Sequence, residues 1–217
     1  MRSPVLDLEI EDTLAETVKK LGGIPLHRIL MKPAPGTAKA RDLIAALEAP
    51  RKRICELSEG VLVEKPMGAE EGLLALSLGS YLFLFVKKHR LGFVLGADSP
   101  IRLALKLVYI PDVCFIARDR LPGGKFPKDP ILQYIPNLAV EVISRGNTKG
   151  EMHRKVREYF TAGVELVWLV YPLTRTVVVH TSPEVFQTRT EKDVLDGGSV
   201  LTGFRLPLSE LFELIDE

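Results

Sequence analysis

A chain of 217 residues, 46% hydrophobic and 26% charged, is long enough for one well-cored domain with decoration and short for two independent ones. With 29 basic and 28 acidic residues the formal net charge is +1, so no global field favours nucleic acid or membrane, and any nucleic-acid site must rest on a local basic cluster or an oligomer. Cys55 and Cys114 lack a metal-type spacing and read as buried free thiols of a reducing compartment.

The N-terminal stretch MRSPVLDLEIEDTL carries acids and no signal-peptide apolar core, from which a cytoplasmic location is expected. Residues 1–23 predict an acidic amphipathic helix with Leu14 and Val18 on one face, stopping at Gly22 and Gly23. Proline-punctuated extended chain follows over 24–37, then a short helix from Thr37 or Ala38 through Ala45 and Leu47. Residues 1–49 are thus expected to form a helical and extended decoration packed on a core domain of residues 50–217. That core opens with a hairpin, strands at Ile54 to Leu57 and Val61 to Glu64 around a Ser58-Glu59-Gly60 turn.

The apolar run of residues 73–86 is too short to cross a bilayer comfortably and reads as part of a buried helix from about Glu70 to His89, so no membrane partner is expected. Strands are predicted near 93–97, 101–107 and 112–117, then a basic, Pro- and Gly-rich surface loop over 118–136. In the next strand, LAVEVIS, Leu138, Val140 and Val142 point to one face and Ala139, Glu141 and Ile143 to the other. An acid inside an apolar strand is unusual, and burying its charge without a partner is costly, so Glu141 needs a cation, a metal or a proton. Thr148 with Glu151 three residues on is a capping-box pattern, opening a helix to Ala162 that stops at Gly163. Strands at 165–172 and 175–180, a meander around 184–190, a turn at 196–198 and a terminal helix near Leu208 to Leu214 complete the chain. The strand-helix-strand unit over 138–171 fits a parallel crossover, and the short connections upstream make the sheet mixed.

Asp112, after Pro111 at a strand start, and Glu141 can meet on neighbouring strands, and two such carboxylates suit a hard divalent cation. Glu151, Lys155 and Tyr159 recur at four-residue intervals and share one helix face, which a helix crossing back over the sheet could present to the carboxylates. Taken alone, Lys155 reads as a solvated helix residue and Tyr159 as a packing residue with a tethered hydroxyl. Ser144 lacks a histidine and acid arrangement, and His27, His89, His153 and His180 show no ligand-pair spacing, which disfavours a serine hydrolase and a zinc site. No glycine-rich phosphate loop is present.

Pro111-Asp112, Glu141-Val-Ile-Ser144, Lys155, Tyr159, Gly163 and Val-Trp-Leu-Val at 167–170, together with the hairpin CELSEGVLVEKP and the tail DVLDGGSVLTGFRLPLSELF, resemble the Uma-two endonuclease family of the PD-(D/E)XK restriction-endonuclease-like superfamily. The likeness covers roughly residues 50–215. It implies an α/β fold, a restriction-endonuclease-like mixed sheet flanked by helices, and a metal-dependent endonuclease acting on DNA. The resemblance implies a site of Asp112, Glu141 and Lys155, with Mg2+ or Mn2+ held by the two acids and Glu71 as a further candidate for the metal shell. Arg145, Lys149 and Arg154 are candidate phosphate contacts, Tyr159 a supporting residue, and a homodimer is expected by analogy. The superfamily lysine position, two residues after the second acid, holds Ile143, so the cation is expected from Lys155. Glu70 and Glu71 stand where relatives often carry a histidine. The alternative is a non-catalytic module that keeps the fold for DNA binding or protein assembly.

Overall fold

The computed structural model describes residues 13–66, 68–213 and 215–216; most of the acidic N-terminal stretch lies outside them. Helix α1 (Leu14–Lys20) is closed by a Thr13–Glu16 capping box, and α2 spans Ala40–Glu48. Strands β1 (Cys55–Ser58) and β2 (Val61–Glu64) form the expected hairpin, with Glu59 and Gly60 at positive φ in its turn. Helix α3 runs Ala69–His89. Strands β3 (Gly92–Gly96), β4 (Ile101–Ala104), β5 (Leu107–Tyr109) and β6 (Val113–Ala117) follow, so the single strand predicted over 101–107 is a tight antiparallel pair instead. Then come β7 (Leu138–Val142), α4 (Lys149–Ala162), β8 (Leu166–Tyr171), β9 (Thr176–His180), β10 (Phe186–Thr190), β11 (Val194–Gly197), β12 (Leu201–Pro207) and α5 (Leu208–Glu213).

The strands divide into a six-stranded mixed sheet in the order β10-β9-β8-β7-β6-β3, a four-stranded antiparallel sheet β2-β1-β5-β4, and the pair β11-β12. In the mixed sheet β7 and β8 are parallel, Leu138 opposite Leu166 and Val142 opposite Val170, with α4 as their crossover. Strand β6 pairs antiparallel with β7, Val113 opposite Val140. This register brings the residue before β6, Asp112, beside the C-terminal half of β7, where its N–H donates to the Val140 carbonyl at 3.0 Å.

Strand β7 alternates as its sequence requires. Leu138, Val140 and Val142 enter a core with α3, α5 and β12, while Ala139 enters a second core with Met152, Val156 and Tyr159 of α4. Glu141 shares the α4 face. Helix α3 departs from the expectation of a buried helix. Leu74, Ala75, Leu78, Leu82 and Val86 pack on the sheet, whereas Leu73, Leu76, Phe83 and Leu84 are exposed. The physical reason is that only one layer meets the helix, so an apolar run longer than one face leaves leucines outside.

The segment before β1 ties the small sheet to α4. Leu21, Ile24 and Ile29 pack on Val61 and Val63. Buried Arg28 donates to the Glu64 carbonyl (2.8 Å), the Gly146 carbonyl (2.9 Å) and both carboxylate oxygens of Glu151 (2.8 and 2.6 Å). Gly22 lies so close to the start of α4 that a Cβ there would meet the Glu151 nitrogen at 2.3 Å, and its carbonyl accepts from the Thr148 hydroxyl at 2.7 Å. Glu151 also serves the α4 capping box, so one carboxylate fixes both the helix start and the incoming segment.

Removing one member of a buried pair strands the other charge in a low-dielectric interior. Arg28→Ala is therefore expected to lower stability by about 3–5 kcal/mol in urea denaturation. The double replacement Arg28→Met with Glu151→Leu should lose clearly less than Arg28→Ala alone, because neither charge is then left stranded.

Candidate active site

Five charged groups, from β1, β7, α4, the residue after β2 and the turn before β6, form one chain in which signs alternate, buried at Glu56, Lys155 and Glu141 and half-buried at Lys65 and Asp112. Glu56 on β1 accepts from the Lys155 ammonium through both carboxylate oxygens, each at 3.0 Å. The same ammonium lies 2.7 Å from Oε1 of Glu141. The other Glu141 oxygen, Oε2, is 3.6 Å from the ammonium of Lys65, which donates to Oδ1 of Asp112 at 2.8 Å and to the Ile110 carbonyl at 2.6 Å. The second Asp112 oxygen accepts from the Val142 N–H at 2.8 Å. The order is Glu56, Lys155, Glu141, Lys65, Asp112, which leaves one negative charge in excess.

Each member is fixed by the local fold. Glu56 points inward because β1 is buried on both faces, and its carboxylate also accepts from the Ile110 N–H at 3.0 Å. Lys65 follows the last residue of β2 and its N–H donates to the Ile54 carbonyl at 2.8 Å, which pins its backbone. Lys155 and Tyr159, four apart, lie on the α4 face turned to the sheet, and the Tyr159 hydroxyl donates to Glu141 at 2.5 Å. Lys155 also sits over the Tyr109 ring, 4.7 Å from its centroid.

Burial acts on every group here, and neighbours decide the net direction. Burial pushes the Glu141 carboxyl up, but Lys155, Lys65 and the Tyr159 hydroxyl more than offset it and hold the group below the usual carboxylate range. Glu56 moves the other way: burial, with Glu141 as a like charge, outweighs Lys155 and raises it. Burial disfavours both ammonium groups, yet Glu141 and Glu56 raise Lys155, and Glu141 and Asp112 raise Lys65. Burial and the adjacent Glu141 push the Tyr159 hydroxyl well above its ordinary value, so it is a hydrogen-bond donor at neutral pH.

The structure thus brings together Asp112, Glu141, Lys155 and Tyr159, and adds two residues that the sequence analysis missed, Glu56 and Lys65. Glu56 carried the same signal as Glu141, an acid between apolar strand residues. Lys65, between a strand end and Pro66, had the pattern of a loop residue. Glu71 lies elsewhere, at the first turn of α3 with its carboxylate folded over Gly68. It lines the same groove as Asp112, but among the described residues no cluster of three acidic, histidine or cysteine side chains converges on one point. Arg145 and Lys149 are exposed on the turn after β7 and the first turn of α4. Arg154 is buried instead, donating to Ser58 (2.7 Å), Tyr109 (2.6 Å) and Glu158 (2.8 Å). Of the basic loop residues, Arg118 stacks on Phe93 and Arg120 pairs with Glu165, beyond the end of β6 opposite Asp112. Ile143 packs in the α4-side core.

Asp112 opens onto a groove of about 630 Å³ between α3 and the edge strand β3, lined largely by apolar groups including Leu76, Phe83 and Leu84. The three oxygens around Lys65, two carboxylate and one carbonyl, are the donor type that a hard divalent cation takes, and the ammonium stands there as a monovalent cation. The donor set therefore fits Mg2+ or Mn2+ chemically, provided the ammonium moves.

A mixed sheet with one parallel crossover, acids on β7 and at the entry to the adjacent β6, and an ammonium from the crossover helix define a restriction-endonuclease-like fold. Comparison agrees: the crystal structure of a protein described as a "putative nuclease" from Anabaena variabilis superposes with a TM-score of 0.68 at 19% identity, over 79% of this chain and 97% of that one. The sequence profile of the Uma2 family, described as "Putative restriction endonuclease", matches residues 41–209, and the chain belongs to that family. A search of curated proteins finds no match.

The acid response follows from the directions above. Glu141 and Glu151 have lowered carboxyl pKa values, Glu151 because Arg28 outweighs burial. Their contribution is complete above the unfolded carboxylate value of about 4.3 and is lost as pH falls through the lower folded values. Glu56, raised, has the opposite sign and favours the folded state as pH falls. The urea midpoint is therefore expected to drop below about pH 4, and Glu151→Gln should flatten that drop while lowering the neutral-pH plateau.

Proposed function

We propose that this nuclease-family chain is a metal-dependent endonuclease that hydrolyses DNA phosphodiester bonds. The observation that carries the reading is the convergence of Asp112 Oδ1, Glu141 Oε2 and the Ile110 carbonyl on one cation position beside an open groove. Asp112 and Glu141 would hold the divalent ion, whose chemistry there would be activation of water and stabilisation of charge on the phosphoryl group.

The chain's own residues supply the rest. Lys155 and the Tyr159 hydroxyl both grip Oε1 of Glu141, which keeps that carboxylate ionised and leaves Oε2 directed at the cation position. The Val142 N–H does the same for Asp112, holding Oδ2 and presenting Oδ1. Lys155 is enclosed by Glu56, Glu141 and Tyr109 with a side chain 2% exposed, so its task in this reading is to orient Glu141 rather than to touch DNA. Arg145 and Lys149, exposed near the same end of β7, are the basic groups placed for backbone phosphates. One chain offers one such site, and a double-strand break takes two copies; we propose a homodimer on that ground.

A second reading is favoured by one observation, that an ammonium already neutralises the acid pair. In that reading the fold is kept as a non-catalytic DNA-binding or assembly module. Plasmid nicking separates the two. Cleavage that requires Mg2+ or Mn2+, stops with chelator and falls about a hundredfold or more in Asp112→Asn and Glu141→Gln, with unchanged circular dichroism, is the expected result. Salt-sensitive DNA binding that survives Asp112→Ala, with no cleavage under any metal, is the result that selects the module.

A further inference from the structure

Lys65 does not have the position of a solvated loop lysine. Its ammonium donates to two oxygens of the cation position, Asp112 Oδ1 and the Ile110 carbonyl, and lies 3.6 Å from the third, Glu141 Oε2, from a backbone pinned to Ile54 and on a side chain only 9% exposed. A dication and an ammonium cannot both occupy one cage of three oxygens, because like charges in contact repel strongly where water is excluded. One of the two lysines must yield, and the geometry distinguishes them. Lys155 is held between two carboxylates and over an aromatic ring, behind the strand. Lys65 sits on the groove side, next to Pro66, which lines the groove together with Asp112. Its four-carbon stem can swing while the backbone stays fixed.

We propose that Lys65 is the resident counter-ion of Asp112 and Glu141, and that a divalent cation loads this site by displacing the Lys65 ammonium into the groove. The inference rests on the metal-dependent reading above and adds its loading step. Lys65 acts as a positioning residue with two stations. At the first it keeps buried Glu141 and half-buried Asp112 from repelling each other before metal arrives. At the second its ammonium faces the groove beside Asp112. Metal affinity is then set by an exchange of cations, and Lys65 and the metal weaken each other's hold reciprocally.

The test uses the full chain and Mn2+, followed by the electron paramagnetic resonance of free Mn2+. Lys65→Met is expected to bind Mn2+ tighter than wild type by about tenfold or more, and Asp112→Asn to lose binding. Since Lys65→Met removes a counter-charge from Asp112 and buried Glu141 and can impair folding, a second measurement uses the wild-type chain alone. Acetic anhydride labelling of Lys65, read by mass spectrometry, should rise severalfold when Mn2+ or Mg2+ saturates the site. Equal Mn2+ affinity in wild type and Lys65→Met, or labelling of Lys65 that saturating metal leaves unchanged, overturns the exchange; if Asp112→Asn still abolishes binding, the metal-dependent reading stands without it. Absence of Mn2+ binding in wild type and in a folded Lys65→Met overturns both.

Discussion

The constraint on which this architecture depends is the neutralisation of Glu141. Its strand is enclosed on both faces, so the carboxylate has no access to bulk water and must find its counter-charges inside the protein. The fold meets that demand by bringing an ammonium from each side: Lys155 from the crossover helix and Lys65 from the opening hairpin. Two ammonium groups on one carboxylate leave positive charge in excess, which Glu56 and Asp112 offset. The packing of α4 on the mixed sheet and the docking of the hairpin's end against the turn before β6 are thus coupled through one side chain.

Much of this was legible in the sequence because it is local. Alternation fixed the face of Glu141, the Thr148–Glu151 box fixed the start of α4, and Gly163, at φ 102, fixed its end. The four-residue spacing of Lys155 and Tyr159 then followed from helix geometry. The pairing of β1 with β5 was not legible, because it joins short strands far apart in sequence through only two residue pairs, Leu57 with Val108 and Ser58 with Leu107. Without it nothing placed Glu56 under Lys155. Lys65 was hidden for a related reason: a lysine after a strand and before a proline normally points to solvent, and only the tertiary approach of the turn before β6 turns it inward.

Ile143 occupies the position where the superfamily carries a lysine, and in this chain it packs against the α4 side of the sheet. Two ammonium groups flank Glu141, one deep and one next to the groove. Arg154 belongs to the deep layer as well: through Tyr109 and Glu158 it braces the helix turn that carries Lys155.

The close passage of Gly22 against Gly150, with Arg28 clasping Glu151 a turn later, has a consequence for how the chain can vary. The N-terminal arm works as a strap drawn across the join between hairpin and crossover helix, and its slack is limited by two backbones nearly in contact. Insertions or bulkier residues in that strap would shift Glu56 relative to Lys155 from a distance. The region least like a nuclease in sequence therefore limits how far the two halves of the centre can drift apart.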